Sequence, residues 1–66
     1  MKSNHLIGQR LRQIRKDLTL SLSDLSERSQ VSVGTLSQLE RGMGRPSLRT
    51  SERISQALGV PPFWLL

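Results

Sequence analysis

The sequence contains no cysteine and no tyrosine, and its only aromatic residues are Phe63 and Trp64. Without cysteine the chain can form no disulfide, no zinc–thiolate site and no thiol nucleophile. No apolar run approaches the roughly 20 residues of a membrane helix, and the first residues lack the apolar stretch of a signal peptide. We therefore expect no role in a membrane, and the missing cysteines agree with a reducing cytoplasm.

Acidic residues are also scarce, because five Asp and Glu stand against ten Lys and Arg, for a net charge of +5. Eight of the ten basic residues are arginine, which binds phosphates and guanine edges through paired hydrogen bonds. This balance favours a polyanionic partner, although a domain that is merely basic would show the same charge. The 66 residues make one small domain with little room for a deep enzyme pocket.

No group of residues predicts catalysis or a bound metal. His5 is the only histidine, and without cysteine or a nearby carboxylate cluster it cannot complete a metal site. Asp24 and Glu27 fall on one predicted helix, but Asp24 is better explained as a cap and Glu27 as a solvated charge. Because no nucleophile–base pair is visible, we predict that the chain is not an enzyme and has no cofactor, metal or small-molecule ligand.

Helical spacing and a capping pattern predict the first two helices. Helix 1 is predicted over about residues 5–17, with Ser3 or Asn4 as its cap. Four apolar residues form its predicted inner stripe, namely Ile7, Leu11, Ile14 and Leu18. Ser21 followed by Asp24 has the spacing of a capping box and predicts helix 2 over residues 22–29.

Caps and stop residues predict three further helices. Ser32 would cap helix 3, which ends at Arg41 before Gly42. Helix 4 would lie between Ser47 and Gly59, with a predicted core of Leu48, Ile54, Ala57 and Leu58. Pro61 suits the first turn of a short fifth helix over residues 61–66. The prediction is a compact, five-helix, all-α fold with a very tight turn between helices 2 and 3.

The third helix has a predicted outer face of small, uncharged residues, namely Val33, Gly34, Ser37 and Gln38. Two short helices joined by so tight a turn form a helix-turn-helix. Small residues would let helix 3 approach base edges in a major groove about 12 Å wide. Gln38 can pair with adenine, and the Val33 methyls can meet a thymine methyl. A solvated face would explain each residue singly, but the turn and the charge together favour DNA.

The chain from about residue 7 to residue 66 resembles the Cro and phage-repressor type of helix-turn-helix domain, with a lambda-repressor-like fold. It is most similar to bacterial regulators that join this domain to a C-terminal cupin sensor. The segment LSDLSERSQVSVGTLSQLERG keeps the hydrophobic positions, the serine before the recognition helix and the Glu-Arg-Gly close. The resemblance makes residues 22–41 the helix-turn-helix unit and leaves residues 1–6 as an N-terminal arm.

The resemblance implies roles for individual residues. Val33, Gly34, Ser37 and Gln38 would read bases. Arg15 and Glu40 would bridge helix 1 to helix 3. Helix N-termini attract anions, so phosphates would be bound at helix starts and in the loop after helix 3, with a further contact from helix 1. The residues implied are Ser23, Ser32, Thr35, Arg41, Gly44, Arg45 and, on helix 1, Arg15.

Three positions depart from the family pattern. Leu22 stands where the family often has Gln, so its phosphate contact would fall to backbone amides or Ser23. Ser26 replaces a small Ala near the helix packing. Gln30 replaces the turn Gly, and because a left-handed Gln costs about 1 kcal/mol, we expect the turn to differ locally.

The function implied by the resemblance is sequence-specific binding of double-stranded operator DNA by a prokaryotic or phage transcriptional regulator, in the cytoplasm at the nucleoid. Binding would occur as a homodimer on an inverted repeat, with Phe63, Trp64 and Leu65 as the dimer surface. The apolar end also predicts that the native chain continues into a regulatory domain. Two alternatives stay open. The first is an antitoxin-like or adaptor module that binds another protein through the FWLL segment, and the second is non-specific binding to the chromosome.

Overall fold

The computed structural model describes residues 3–61, with side chains described from Leu6 onward. Its four α-helices are α1 (Ser3–Asp17), α2 (Leu22–Ser29), α3 (Val33–Glu40) and α4 (Leu48–Leu58). The all-α class is confirmed for this part of the chain, but the prediction of five helices is wrong. Pro61 is exposed and not helical, because proline tolerates a helix start without forming one. The remainder of the predicted fifth helix lies outside the described residues.

Helix α1 begins at Ser3, two residues before the predicted start, and ends at Asp17 as predicted, so residues 3–6 are helical. Leu18, predicted to continue the inner stripe, is 45% exposed because the helix ends before it. The chain turns at Thr19, which has a left-handed φ of +55°. Leu20 then enters the core.

Helix α2 has the predicted capping box. Ser21 Oγ accepts a hydrogen bond from the Asp24 amide, and Asp24 Oδ2 accepts one from the Ser21 amide, both at 2.9 Å. The pKa of Asp24 lies below its ordinary value, and the largest cause is the hydrogen bond from the Ser21 amide to the carboxylate. The Ser21 hydroxyl lowers the pKa further, because hydrogen bonding to the carboxylate favours its ionised form.

The turn after α2 keeps a left-handed residue although it lacks glycine. Gln30 has a φ of +62°, and its side-chain amide donates to the Glu27 carbonyl at 2.9 Å. The expected local change in the turn is therefore absent at this residue. Gln30 takes the conformation that glycine adopts most readily.

The core lies where α1 packs on α3 and where α2 packs on both α3 and α4. Its buried apolar residues are Ile7, Leu11, Leu20, Leu25, Val31, Leu36, Leu39, Ile54 and Leu58. Leu48 was predicted to belong to it but is 65% exposed. The first buried position of α4 is Ser51, so Leu48, one turn earlier, projects beyond the core. The core thus supports α3 from two sides.

Candidate functional site

One side of α3 packs into the core and the other is open. Leu36 and Leu39 are buried, as the spacing predicted. On the opposite side Val33 is 42% exposed, Gly34 and Gln38 are exposed, and Ser37 is half-buried. These four positions share a face because residues three and four apart align on a helix. The open face of α3, defined by these four residues, is neutral and small.

The start of α3 presents hydrogen-bond donors without a carboxylate. The Thr35 amide donates to Ser32 Oγ at 3.1 Å, and the Ser32 hydroxyl donates to Thr35 Oγ1 at 2.8 Å. In this arrangement the Thr35 hydroxyl accepts a hydrogen bond from Ser32 and does not donate one within the cap. Its own proton can therefore be donated to a group outside the protein. No acidic residue lies in the first turn. A helix start of this kind favours an anion.

The end of α3 is closed by a turn that exposes two arginines. Gly42 has a left-handed φ of +77°, and the amide of Met43 donates to the Gln38 carbonyl at 2.8 Å, which is the Schellman pattern. Arg41 lies at this cap, and its Nε donates to the Ser37 carbonyl at 3.3 Å. Arg45 follows and is also exposed. Positive charge therefore adjoins the open face.

Arg15 connects α1 to α3 through a two-pronged ion pair. Its Nε lies 2.6 Å from Glu40 Oε2 and its Nη2 lies 3.0 Å from Glu40 Oε1. A third donor, Nη1, reaches the Leu20 carbonyl at 2.8 Å. The two side chains are only 12% and 7% exposed. The bond to Glu40 raises the pKa of Arg15 above its ordinary value, so the guanidinium keeps its charge.

The remaining predicted site residues lie in the loop after α3, at the start of α2 and near the C-terminal end of the sequence. Gly44 is exposed in the loop after α3, with a φ of +79°. Ser23 is exposed on α2 beside Asp24, whose carboxylate gives that helix start a negative charge. The predicted dimer surface of Phe63, Trp64 and Leu65 lies outside the described residues.

The predicted cap of α4 at Ser47 has the same design as the cap of α3, a likeness that was not noted from the sequence. The Ser47 hydroxyl donates to Thr50 Oγ1 at 3.0 Å, and the Thr50 amide donates to Ser47 Oγ at 3.1 Å. No acidic residue lies in the first turn of α4 either. The repeated Ser-x-x-Thr spacing at residues 32–35 and 47–50 was the available signal.

Residues 3–61 contain no group of three or more His, Cys, Asp or Glu that could hold a metal ion. None of the helices described is long and apolar enough to cross a membrane.

Comparison with known proteins gives a family and several relatives. The helix-turn-helix family HTH_3 matches residues 11–65. The HTH-type transcriptional regulator SinR of Bacillus subtilis is 40% identical over 62 residues, which cover 92% of this chain and 56% of SinR. The immunity repressor protein of Bacillus phage phi105 is 39% identical over 54 residues, or 82% of this chain and 38% of that protein. The chain thus spans about half, or less, of these curated relatives.

Solved structures show the same fold. The restriction-modification controller protein C.AhdI from Aeromonas hydrophila superposes with a TM-score of 0.92 at 29% identity, covering 100% of both chains. The clp gene regulator ClgR from Corynebacterium glutamicum gives a TM-score of 0.86 at 35% identity, covering 96% of this chain and 67% of that one.

Proposed function

We propose, from the premise that the chain belongs to the helix-turn-helix family HTH_3, that it binds double-stranded DNA as part of a transcriptional regulator. The relatives named as transcriptional regulators and as a phage repressor support this role. The observation that carries the proposal is the open face of α3, which is small and neutral in a chain of net charge +5. The role is one of binding, not of catalysis.

In this proposal α3 enters the major groove and its open face reads bases. Gln38 is exposed and can bond both N6 and N7 of adenine. Val33 can contact a thymine methyl. Gly34 and Ser37 are small enough to bring the helix backbone close to the base edges.

Phosphate binding is assigned to the two ends of α3. Ser32 and Thr35 supply donors at its start, and Arg41, Gly44 and Arg45 follow its end. Ser23 is a weaker candidate because the Asp24 carboxylate beside it repels phosphate. For Arg15 a bridging role is favoured over a phosphate contact, since three of its five N–H donors already bind protein atoms.

The finer parts of the proposal concern assembly and context. Binding as a homodimer to an inverted repeat would place two copies of α3 about 34 Å apart, one turn of DNA. The resemblance to cupin-carrying regulators implies a longer native chain with a C-terminal sensor, and the mass of the native protein tests this. The regulator would act on chromosomal DNA in the cytoplasm.

The proposal is tested by selecting bound duplexes from a random pool. Affinity of the selected and of unrelated duplexes is then measured between about 50 and 200 mM salt, the range over which phosphate contacts weaken strongly. We expect an enriched inverted repeat whose preference over unrelated DNA survives at the higher salt. No enrichment, with affinity that collapses as salt rises, would contradict sequence-specific binding and favour non-specific or protein-partner alternatives.

The phosphate assignment has a separate test in Arg45→Ala. Loss of one phosphate contact should weaken binding to all duplexes alike and lower the slope of log affinity against log salt by about 1. Arg53→Ala is the control of equal charge, since Arg53 is exposed on α4 outside the proposed interface. Equal slopes for the two variants would contradict the assignment of Arg45.

A further inference from the structure

Gly8 is a buried residue inside α1, where glycine is less favourable than alanine. A methyl group added there would lie 2.3 Å from the Leu39 carbonyl oxygen and 2.7 Å from the Glu40 carbonyl oxygen. Both atoms belong to the backbone of α3, so neither can move aside by a side-chain rotation. Helix α1 therefore meets the last turn of α3 so closely that only glycine fits.

Arg15 holds the same end of α3 by a different interaction. It lies seven residues after Gly8, two turns along the same side of α1, and binds the Glu40 carboxylate at 2.6 and 3.0 Å. We name Gly8 and Arg15 together the α1 seat. The contact at Gly8 limits how near the two helices lie, and the ion pair limits how α3 rotates.

The α1 seat acts on residues next to the open face. Leu39 and Glu40, which it touches, directly follow Ser37 and Gln38 in α3. Because a helix turn is rigid, a shift of these carbonyls moves the preceding turn with them. An added methyl at 2.3 Å would require the Leu39 carbonyl to retreat by about 1 Å to reach the 3.4 Å of ordinary contact. Recognition geometry usually tolerates about 0.5 Å.

We propose that Gly8 is a positioning residue for DNA reading, which sets the distance of α3 from α1 and so the pose of the open face on the base edges. The inference rests on the proposed function and adds a residue that would itself touch no DNA. The flexible arginines at the end of α3 can follow a small displacement of the backbone, whereas bonds from Gln38 to a base edge cannot. A displaced α3 should therefore lose base discrimination before it loses general affinity.

The test measures Gly8→Ala against wild type on the selected duplex and on an unrelated duplex of equal length, at one salt concentration and at a temperature where both proteins are folded. We expect affinity for the selected duplex to fall about 10-fold or more, the worth of one base contact, and affinity for the unrelated duplex to change less than about 2-fold. Unchanged selectivity in folded Gly8→Ala would overturn the proposal.

Two controls separate positioning from general stability. Ile54→Val removes one methylene from a buried residue of α4 and destabilises the fold without touching the α1 seat. Ile54→Val should lower the melting temperature but leave selectivity and the amide chemical shifts of α3 unchanged. Gly8→Ala should change both the selectivity and these chemical shifts. Equal loss of selectivity in both variants would overturn the proposal. Wild-type protein with no selectivity would instead contradict the proposed function.

A second variant covers the case in which Gly8→Ala does not fold. Arg15→Lys keeps the positive charge and the contact at Gly8 but cannot bind Glu40 with two parallel hydrogen bonds. We expect it to fold and to lose about 3-fold in selectivity, measured as the ratio of its affinities for the selected and the unrelated duplex, which is less than the loss of one base contact. Folded Arg15→Lys with wild-type selectivity would overturn positioning by the α1 seat.

Discussion

Helices α2 and α3 are built by the same folding rules but present different chemistry. Each has eight residues and a serine N-cap. At the third helical position α2 has Asp24, which closes a capping box, whereas α3 has Thr35. The exposed residues of α2 include charges of both signs, whereas the open face of α3 has none. The start of α2 is therefore closed by a carboxylate, whereas the start of α3 has no acidic residue that would repel an anion.

The two helices are also held differently. Helix α2 packs on both α3 and α4, and its buried residues are Leu25 and Ser29. Helix α3 has buried leucines and in addition the ion pair from Arg15 to Glu40. The proposed base reading by α3 would need a fixed pose as well as a buried face, and the ion pair from Arg15 to Glu40 restrains that pose.

The largest expected effect comes from breaking this ion pair. Arg15→Met keeps the aliphatic length but leaves Glu40 with an unpaired, largely buried carboxylate. We expect the free energy of unfolding to fall by about 3 kcal/mol, measured by urea denaturation. Arg12→Met, at an exposed site of the same helix, should change it by less than about 0.5 kcal/mol. Similar results for the two variants would show that α3 does not depend on the pair.

A smaller effect is expected from removing the two serine caps. Ser21→Ala and Ser32→Ala should each lower the free energy of unfolding by about 1 kcal/mol. When both proteins are fully folded, Ser32→Ala should also weaken DNA binding and Ser21→Ala should not, because phosphate is assigned to the start of α3 and is repelled by Asp24 at the start of α2. If Ser21→Ala weakens binding equally, the contrast between the two helix starts is wrong.

Gly34→Ala should change stability and binding in opposite directions. A methyl group added at Gly34 meets nothing within 4 Å, so alanine should stabilise the fold by about 0.5–1 kcal/mol. The same methyl would lie on the open face and hold α3 away from the base edges, which should lower affinity for the selected duplex. Thermal denaturation and DNA titration measure the two effects. A stabilised variant with unchanged affinity would remove Gly34 from the interface.

Acid should weaken the cap of α2 and spare that of α3. Because hydrogen bonds lower the pKa of Asp24 in the folded state, its contribution to stability is complete above the unfolded pKa of about 3.9. That contribution is lost as the pH falls from there through the lowered folded value. Asp24→Asn should therefore be less stable than wild type near pH 7, with a difference that shrinks toward pH 2. A difference that is independent of pH would contradict the capping box.

Local chemistry explains what could be predicted of the fold. The serine caps of three helices and the glycine stops depend on residues within one turn of each other, so their spacing was sufficient. Leu18 and Leu48 were assigned wrongly because periodicity does not show where a helix passes beyond the core. The predicted fifth helix depended on one permissive proline, which is a weak signal.

The site was predicted unevenly for a related reason. The open face of α3 follows from helical spacing. The ion pair joins residues 25 positions apart, and only the family resemblance pointed to it. The contact of Gly8 with Leu39 spans a still longer interval and appears in no local pattern. Non-local contacts of this kind need the packed structure.

The central claim is that the open face of α3 reads bases, and Gln38→Ala tests it most directly. On the selected duplex, each base pair is substituted in turn and the change in affinity is measured for wild type and variant. The account predicts that Gln38→Ala loses about 1–3 kcal/mol of discrimination at one base pair and keeps the profile elsewhere. An unchanged profile at every position would contradict the assignment of the open face.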